Sequence, residues 1–343
     1  MTGLPSVLPK AALGVLGAGS FGTALAIQSA RRDHPTLLWG RAADKLVAME
    51  SARVNAQYLP DCPFPARLHT SADLAAVVAA AEDIILGTPS HTLRATCELL
   101  KPLLRPEQGI VAACKGLEPG SGKLIHEVVA EVLGSERRLA VLSGPTFAKE
   151  LAMGLPTAVT IASTDLAFAE KIAQELHGDG FRAYTAEDVI GVEIGGAAKN
   201  IFAIGVGIAD GLGLGANTRA GFITRSLNEI MRLGEALGAD KETLMGLSGL
   251  GDLVLTCTDN QSRNRRMGLL LAQGRSVSEA IAEIQQVVEG IKAAPEVLRR
   301  AHSIGVDLPI TEQINRVLQG EISPLEAVRR LATRPQRAEQ DSH

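Results

Sequence analysis

Lys199 and Asn200 stand at the centre of a run of apolar and small residues, with Gly195-Gly196-Ala197-Ala198 before them and Ile201-Phe202-Ala203-Ile204 after. An ammonium in such a run must snorkel, pair with an anion or face a ligand cavity, and the last of these carries chemistry. Asp252, in Ser248-Gly249-Leu250-Gly251-Asp252-Leu253, is the matching acidic candidate, with Thr256 four residues on. The segment Asn260-Gln261-Ser262-Arg263-Asn264-Arg265-Arg266 then concentrates amides, a hydroxyl and guanidiniums. Those donors suit a phosphate monoester, and a solvated helix start is the plainer alternative. Nearer the N-terminus, the apolar run Ile110-Val111-Ala112-Ala113 leads to Cys114-Lys115-Gly116-Leu117-Glu118. A lysine at the tip of an inner strand is placed to polarise or hold a substrate, although a surface loop would also accept it. Leu139-Ala140-Val141-Leu142 runs in the same way into Ser143-Gly144-Pro145-Thr146-Phe147-Ala148-Lys149-Glu150, small and polar enough for close backbone contact with a ligand. His91, after Thr88-Pro89-Ser90, could serve as a base, but a loop histidine making a local hydrogen bond is the simpler reading.

The elements that must position these residues begin at Leu13-Gly14-Val15-Leu16-Gly17-Ala18-Gly19-Ser20-Phe21-Gly22, where a short apolar strand feeds a glycine turn and the turn feeds a helix. Gly17, Gly19 and Gly22 have the spacing of a dinucleotide fingerprint: one for the tight turn, one for approach of backbone to a pyrophosphate, one for close helix–strand packing. The helix N-terminus then offers amides to the phosphates. The next apolar run, Thr36-Leu37-Leu38-Trp39, ends at Gly40 and Arg41, where an NAD-selective site commonly carries Asp or Glu for the ribose hydroxyls. Arginine cannot accept those bonds but can pair with a 2′-phosphate, so NADP is admitted beside NAD.

Strand-like runs recur through the first half, at residues 12–16, 36–39, 83–87, 110–113, 139–142 and 157–162, with helices expected over 23–31 and 165–176. The proline-rich stretch from Asn55 to Pro65 reads as a loop. From Asp188 the pattern becomes helical, with long segments over 191–209, 219–237 and 278–302; Phe222, Ile223, Leu227, Ile230 and Met231 mark a buried face. Eight glycines between Gly191 and Gly215 are a high density for a helical region and imply close approach to another helix or to a ligand. The expected architecture is α/β plus all-α: a Rossmann-type dinucleotide-binding domain over 1–189 and a helical substrate-binding and catalytic domain over 190–335. Pro324 and the polar tail close it, with residues 336–343 frayed.

At 343 residues the chain exceeds what a single core usually organises. Its 34 basic and 38 acidic residues form no long block of either sign, which argues against a nucleic-acid surface. Cys62, Cys97, Cys114 and Cys257 lack a metal or disulfide spacing, and a reducing compartment is the simpler setting. The first residues, Met1 to Lys10, do not form a signal peptide, and no stretch reaches about 18 uninterrupted apolar residues, so neither secretion nor a transmembrane segment is expected.

The chain resembles the bacterial glycerol-3-phosphate dehydrogenase [NAD(P)+] family over almost its whole length. The resemblance is carried by the Gly17–Gly22 turn, Lys115-Gly116-Leu117-Glu118, the Ser143–Glu150 segment, Gly195-Gly196-Ala197-Ala198-Lys199-Asn200 and the run from Leu250 to Arg266. It implies reversible hydride transfer between NAD(P)H and dihydroxyacetone phosphate, giving sn-glycerol 3-phosphate for phospholipid synthesis in the cytoplasm, by a homodimer. By that similarity Lys199 is the catalytic acid/base, and Lys115, Gly144, Thr146, Asp252, Ser262, Arg263 and Asn264 surround the substrate. Ser20, Phe21, Arg41, Lys115, Ala148, Arg263, Val287 and Glu289 touch the coenzyme, beside Gly17, Gly19 and Gly22. The chemistry needs no metal, because ammonium groups polarise the carbonyl and no histidine has ligand spacing. Two other readings stay open: a related dehydrogenase acting on a hydroxy acid or sugar phosphate, and a non-catalytic nucleotide sensor.

Overall fold

The computed structural model describes residues 8–334; the segment before Lys10 and the tail expectation over 336–343 fall wholly or largely outside them. The chain divides into two compact units. One runs from the start of the described chain to Lys115 and resumes over Ile125–Val189; the other comprises Gly116–Leu124 and the residues from Ile190 onward.

Among the described residues the first unit carries ten strands: β1 (Ala11–Leu16), β2 (Thr36–Trp39), β3 (Val54–Asn55), β4 (Leu59–Pro63), β5 (Leu68–Ser71), β6 (Ala81–Leu86), β7 (Ile110–Ala112), β8 (Leu139–Ser143), β9 (Thr157–Ala162) and β10 (Phe181–Ala186). Its helices are α1 (Ser20–Arg31), α2 (Ala43–Ala52), α3 (Leu74–Ala80), α4 (Leu93–Leu100), α5 (Ile125–Leu133), α6 (Ala148–Met153) and α7 (Leu166–Leu176). Eight strands form one sheet in the order β10-β9-β8-β7-β6-β1-β2-β5. Every pairing in it is parallel except β8 with β9. Strands covered on both faces read as continuous apolar runs rather than alternations. β1 shows this: Leu13 and Val15 join one core with Ile85, Val111, Leu25 and Phe168, while Leu16 on the alternate register is also fully buried. The chain leaves β1 for β2 on one side and returns to β6 on the other, so the order reverses between β1 and β6, the place where such sheets bind ligands.

The stretch expected to be a loop contains instead the small antiparallel pair β3 and β4. Its prolines are tolerated because a two-stranded ribbon has only edges, where a missing donor breaks no interior ladder. Asp165 does not belong to α7 but caps it, its carboxylate accepting from the Phe168 amide at 3.1 Å.

The second unit is helical: α8 (Val189–Gly211), α9 (Gly215–Ala236), α10 (Lys241–Met245), a π-helical turn (Leu247–Gly251), α11 (Asp252–Thr258), α12 (Arg263–Ala272), α13 (Val277–Ile284), α14 (Glu289–Ser303), α15 (Pro309–Leu318) and α16 (Pro324–Ala332). α8 is long and apolar enough to cross a membrane, yet 89% of its apolar window is buried within the protein. Ile201, Phe202 and Ile204 of α8 pack with Leu233, Leu253, Met267, Val297 and Ile314 from five neighbouring helices, and Leu117 and Leu124 join the same core. The glycine density of α8 reflects helix contact: a Cβ on Gly207 would meet the Arg265 carbonyl of α12, and one on Gly268 would meet the Ile204 carbonyl of α8.

Two sequence expectations change here. The helix read over 278–302 is two helices, because α13, opened by a Ser276/Glu279 capping box, ends at Gln285 in left-handed geometry (φ 54°). Pro324 does not close the unit but opens α16 at its first turn, where a missing amide hydrogen loses no helical bond.

Candidate active site

In the first unit the fingerprint turn has the geometry its residue types demand. Gly17 lies at φ 121°, and a Cβ there would come within 2.8 Å of the Gly87 backbone at the tip of β6. A Cβ on Gly22 would strike the Gly17 carbonyl, whereas around Gly19 the space is open to 4 Å. The turn thus packs against the end of β6 at Gly17, closes on itself at Gly22 and stays accessible at Gly19. Gly19 is the N-cap of α1 and supplies no side-chain cap, which leaves the helix amides for a phosphate. These features fit a dinucleotide. Ser20 opens α1, and half-buried Phe21 follows it. Arg41 is exposed just past β2, and Gly40 before it is buried.

Asn55 was not legible as a site residue, because its breaker-rich surroundings read as a plain connector. It is fully buried, and its amide donates to the Ala18 carbonyl of the turn at 3.1 Å and to Thr23 Oγ1 at 2.9 Å. β3 therefore pins the glycine turn from below.

Lys115 lies three residues past β7 and donates to the Gly144 carbonyl at 3.2 Å, with its ammonium 5.7 Å from the centre of the Phe21 ring. Thr146 Oγ1 donates to the same carbonyl at 3.1 Å. The structure thus gathers Lys115, Gly144, Thr146 and Phe21 at the strand tips, with Ala148 opening α6 beyond them. His91 is exposed in a short turn at Ser90–Thr92.

In the second unit Lys199 is 6% exposed, and its ammonium donates to Oδ1 of Asp252, which is fully buried. Thr256 Oγ1 donates to the Asp252 carbonyl at 2.6 Å. The π-helical turn ends just before Asp252, so the carboxylate stands where helical phase is reset, a common device at functional sites. Asn200 links the remaining members. Its amide donates to Glu289 at 3.0 Å, its oxygen accepts from Asn264 Nδ2 at 2.7 Å, and Asn264 Oδ1 accepts from the Gly290 amide at 2.9 Å. Neighbouring Lys199 in sequence was its only signal. Ser262 caps α12, accepting from the Arg265 amide at 3.2 Å. Arg263 is half-buried, and its guanidinium has no hydrogen-bond or ion-pair partner among the described residues. The break between α13 and α14 leaves Val287 exposed in the connection and Glu289 in the first turn of α14.

All four cysteines are buried and unbridged. Among the described residues no group of three or more His, Cys, Asp or Glu is placed to hold a metal ion.

A dinucleotide turn at the switch point of one unit, and a buried Lys–Asp pair beside an arginine-rich helix start in the other, can be compared with known proteins. Residues 12–169 match the family model for the NAD-dependent glycerol-3-phosphate dehydrogenase N-terminus, and residues 188–329 match that for its C-terminus. The chain is 51% identical over 327 residues to a glycerol-3-phosphate dehydrogenase [NAD(P)+] of Stenotrophomonas maltophilia, covering 95% of this chain and 96% of that protein. It is 52% identical over 335 residues to one from Escherichia coli, covering 97% and 99%. The crystal structure of glycerol-3-phosphate dehydrogenase from Coxiella burnetii superposes with a TM-score of 0.91 at 45% identity, over 95% of this chain and 99% of that one. With both halves matched in order and relatives this similar across nearly the full length, the chain belongs to the NAD-dependent glycerol-3-phosphate dehydrogenase family.

Proposed function

We propose that Lys199 is the general acid/base of a reversible, NAD(P)-dependent interconversion of dihydroxyacetone phosphate and sn-glycerol 3-phosphate. The observation that carries this role is the buried ammonium of Lys199, held by Asp252 inside the apolar core of α8. A nicotinamide coenzyme supplies or accepts the hydride when bound. As the C2 carbonyl is reduced, charge develops on its oxygen, and Lys199 Nζ stabilises that charge and delivers the proton; in the reverse direction it takes the proton from the C2 hydroxyl. Asp252 orients the ammonium through their hydrogen-bonded ion pair.

Arg263, unclaimed by other residues, grips the substrate phosphate through charge-assisted hydrogen bonds, with Ser262 and Asn264 beside it. Asn264 spends its oxygen on Gly290 and one amide hydrogen on Asn200, so only its second amide hydrogen serves the substrate. Lys115, Gly144 and Thr146 are the substrate contacts we assign in the first unit. The coenzyme is assigned to Gly17, Gly19, Ser20, Phe21, Gly22, Arg41, Lys115 and Ala148 there, and to Arg263, Val287 and Glu289 of the second unit. The product feeds glycerophospholipid synthesis in the cytoplasm, and the chain acts as a homodimer; membership of the family supports both statements.

Loss of NADH or NADPH absorbance on addition of dihydroxyacetone phosphate tests the reaction. Oxidation with at least one coenzyme is expected, and none with either would overturn the assignment.

A further inference from the structure

The run Asn260–Arg266 holds three arginines, and the structure sets Arg263 and Arg265 apart. Arg263 is half-buried without a partner among the described residues, while Arg265 is buried, 8% exposed, and engaged through its Nε and Nη1. Its Nη1 donates to Asp210 and, at 3.2 Å, to the Cys257 carbonyl, and its Nε donates to Asn260 at 3.0 Å. Asp210, near the C-terminal end of α8, also accepts from Arg219 Nε at 2.9 and 3.0 Å. Each member of the Asp210–Arg265 pair sits at the wrong end of its own helix. An anion near a C-terminus and a cation in a first turn both oppose the macrodipole, so neither charge serves its own helix and their favourable contacts are those made across helices.

The pair joins four pieces of chain: the end of α8, the start of α9, the Cys257 carbonyl near the end of α11 and Asn260 in the turn into α12. α8 carries Lys199 eleven residues upstream of Asp210, about 16 Å along the axis. α11 begins with Asp252, and the turn into α12 presents Arg263. We infer that the Asp210–Arg265 ion pair is a positioning device that sets the span between the Lys199–Asp252 pair and the Arg263 guanidinium, and so the length of phosphate ester that reaches both. This inference rests on the substrate roles proposed above for Lys199 and Arg263.

A ligand that needs only Arg263 does not feel the span, whereas one that must reach both ends does. Arg265→Lys keeps a charge opposite Asp210 but cannot hold Asn260 and the Cys257 carbonyl with the same fork. The measurements are KM and kcat for dihydroxyacetone phosphate, the competitive inhibition constant of inorganic phosphate, and the thermal midpoint, for wild type, R265K, Asp210→Asn and Arg263→Ala. For R265K and D210N the expected result is a rise of about ten-fold in KM for dihydroxyacetone phosphate, with the phosphate inhibition constant within about two-fold of wild type. For R263A both constants rise together. D210N carries the same readout should R265K fail to fold. A wild-type KM in folded R265K and D210N would overturn the inference, as would equal rises in KM and in the phosphate constant, which would make Arg265 part of the phosphate grip. Absence of inhibition by phosphate in the wild type would overturn it too. A wild-type enzyme inert towards dihydroxyacetone phosphate would instead sink the underlying assignment of the reaction.

Discussion

Lys199 and Asp252 form a buried ion pair within apolar surroundings, and the two must be treated as one unit in any experiment. Removing one member of a buried pair leaves the other uncompensated, at about 3–5 kcal/mol. Lys199→Met should therefore lose both activity, by roughly 10²-fold or more in kcat, and stability. The double variant Lys199→Met/Asp252→Asn should recover most of the stability and none of the activity. Denaturation curves beside steady-state kinetics separate the two effects, and a near-normal kcat in either variant would shift the acid/base role elsewhere, with Lys115 next in line. Arg41 poses the opposite case, an exposed cation at a strand end. It can meet a 2′-phosphate with charge-assisted hydrogen bonds, whereas to the hydroxyls of NADH it can only donate ordinary, weaker ones. We expect activity with both coenzymes and a preference for NADPH. Arg41→Ala should weaken NADPH by roughly five- to thirty-fold, less at high salt, and leave NADH almost unchanged. Parallel KM values at two ionic strengths decide it; equal losses would mean that Arg41 supports the adenine or the fold instead.

Among the elements, α8, α9 and α12 show why a glycine count in the sequence carries no sign. Gly268 in α12 and Gly221 in α9 both lie inside helices, where alanine is ordinarily preferred. A Cβ on Gly268 would collide with the Ile204 carbonyl and lie 2.7 Å from the Ile208 amide, while one on Gly221 would meet nothing within 4 Å. Gly268→Ala should thus force α8 and α12 apart and destabilise by about 1–3 kcal/mol, whereas Gly221→Ala should stabilise by roughly 0.5–1 kcal/mol. Urea denaturation reads both, and equal signs would refute the packing argument. What could be read in advance followed the same division. The strand, glycine turn and helix of residues 11–31 were legible because local chemistry dictates them, and Lys199 and Asp252 because charge is out of place in apolar sequence. The Asn200, Asn264 and Glu289 bridge was not, since amides look alike whether they face water or each other across 64 and 89 residues. Nor was the break at Gln285, where one left-handed residue ends a helix whose apolar pattern invites continuation.

For the molecule as a whole, the pH dependence of stability has an identifiable contributor in Glu175 of α7. Burial pushes its carboxyl up to about 7 from an ordinary value near 4.5, with Asp83 and Glu82 adding to the rise and Lys171 opposing it. Its Oε2 is buried with no hydrogen-bond partner among the described residues. The folded chain therefore holds this proton where the unfolded chain has released it. The resulting stability is fully present below about pH 4.5, declines as pH rises towards 7, and is absent above. Glu175→Gln should remove that decline and be the more stable form at pH 8, by up to a few kcal/mol, since a tenfold difference in proton affinity between folded and unfolded chain is worth about 1.4 kcal/mol. Chemical denaturation of both proteins at pH 5 and pH 8 checks it, and a constant difference between them would exclude Glu175 as the cause. The nine residues Gly116–Leu124 bear on a different kind of manipulation. They belong to the helical unit, and Leu117 and Leu124 fill its core, while the chain on either side of them belongs to the sheet unit. The polypeptide consequently passes from one unit to the other three times, after Lys115, after Leu124 and after Val189. A fragment cut at residue 190 would start life with a hole where two leucines should be, and neither unit can be transplanted, truncated or shuffled as an uninterrupted stretch of gene.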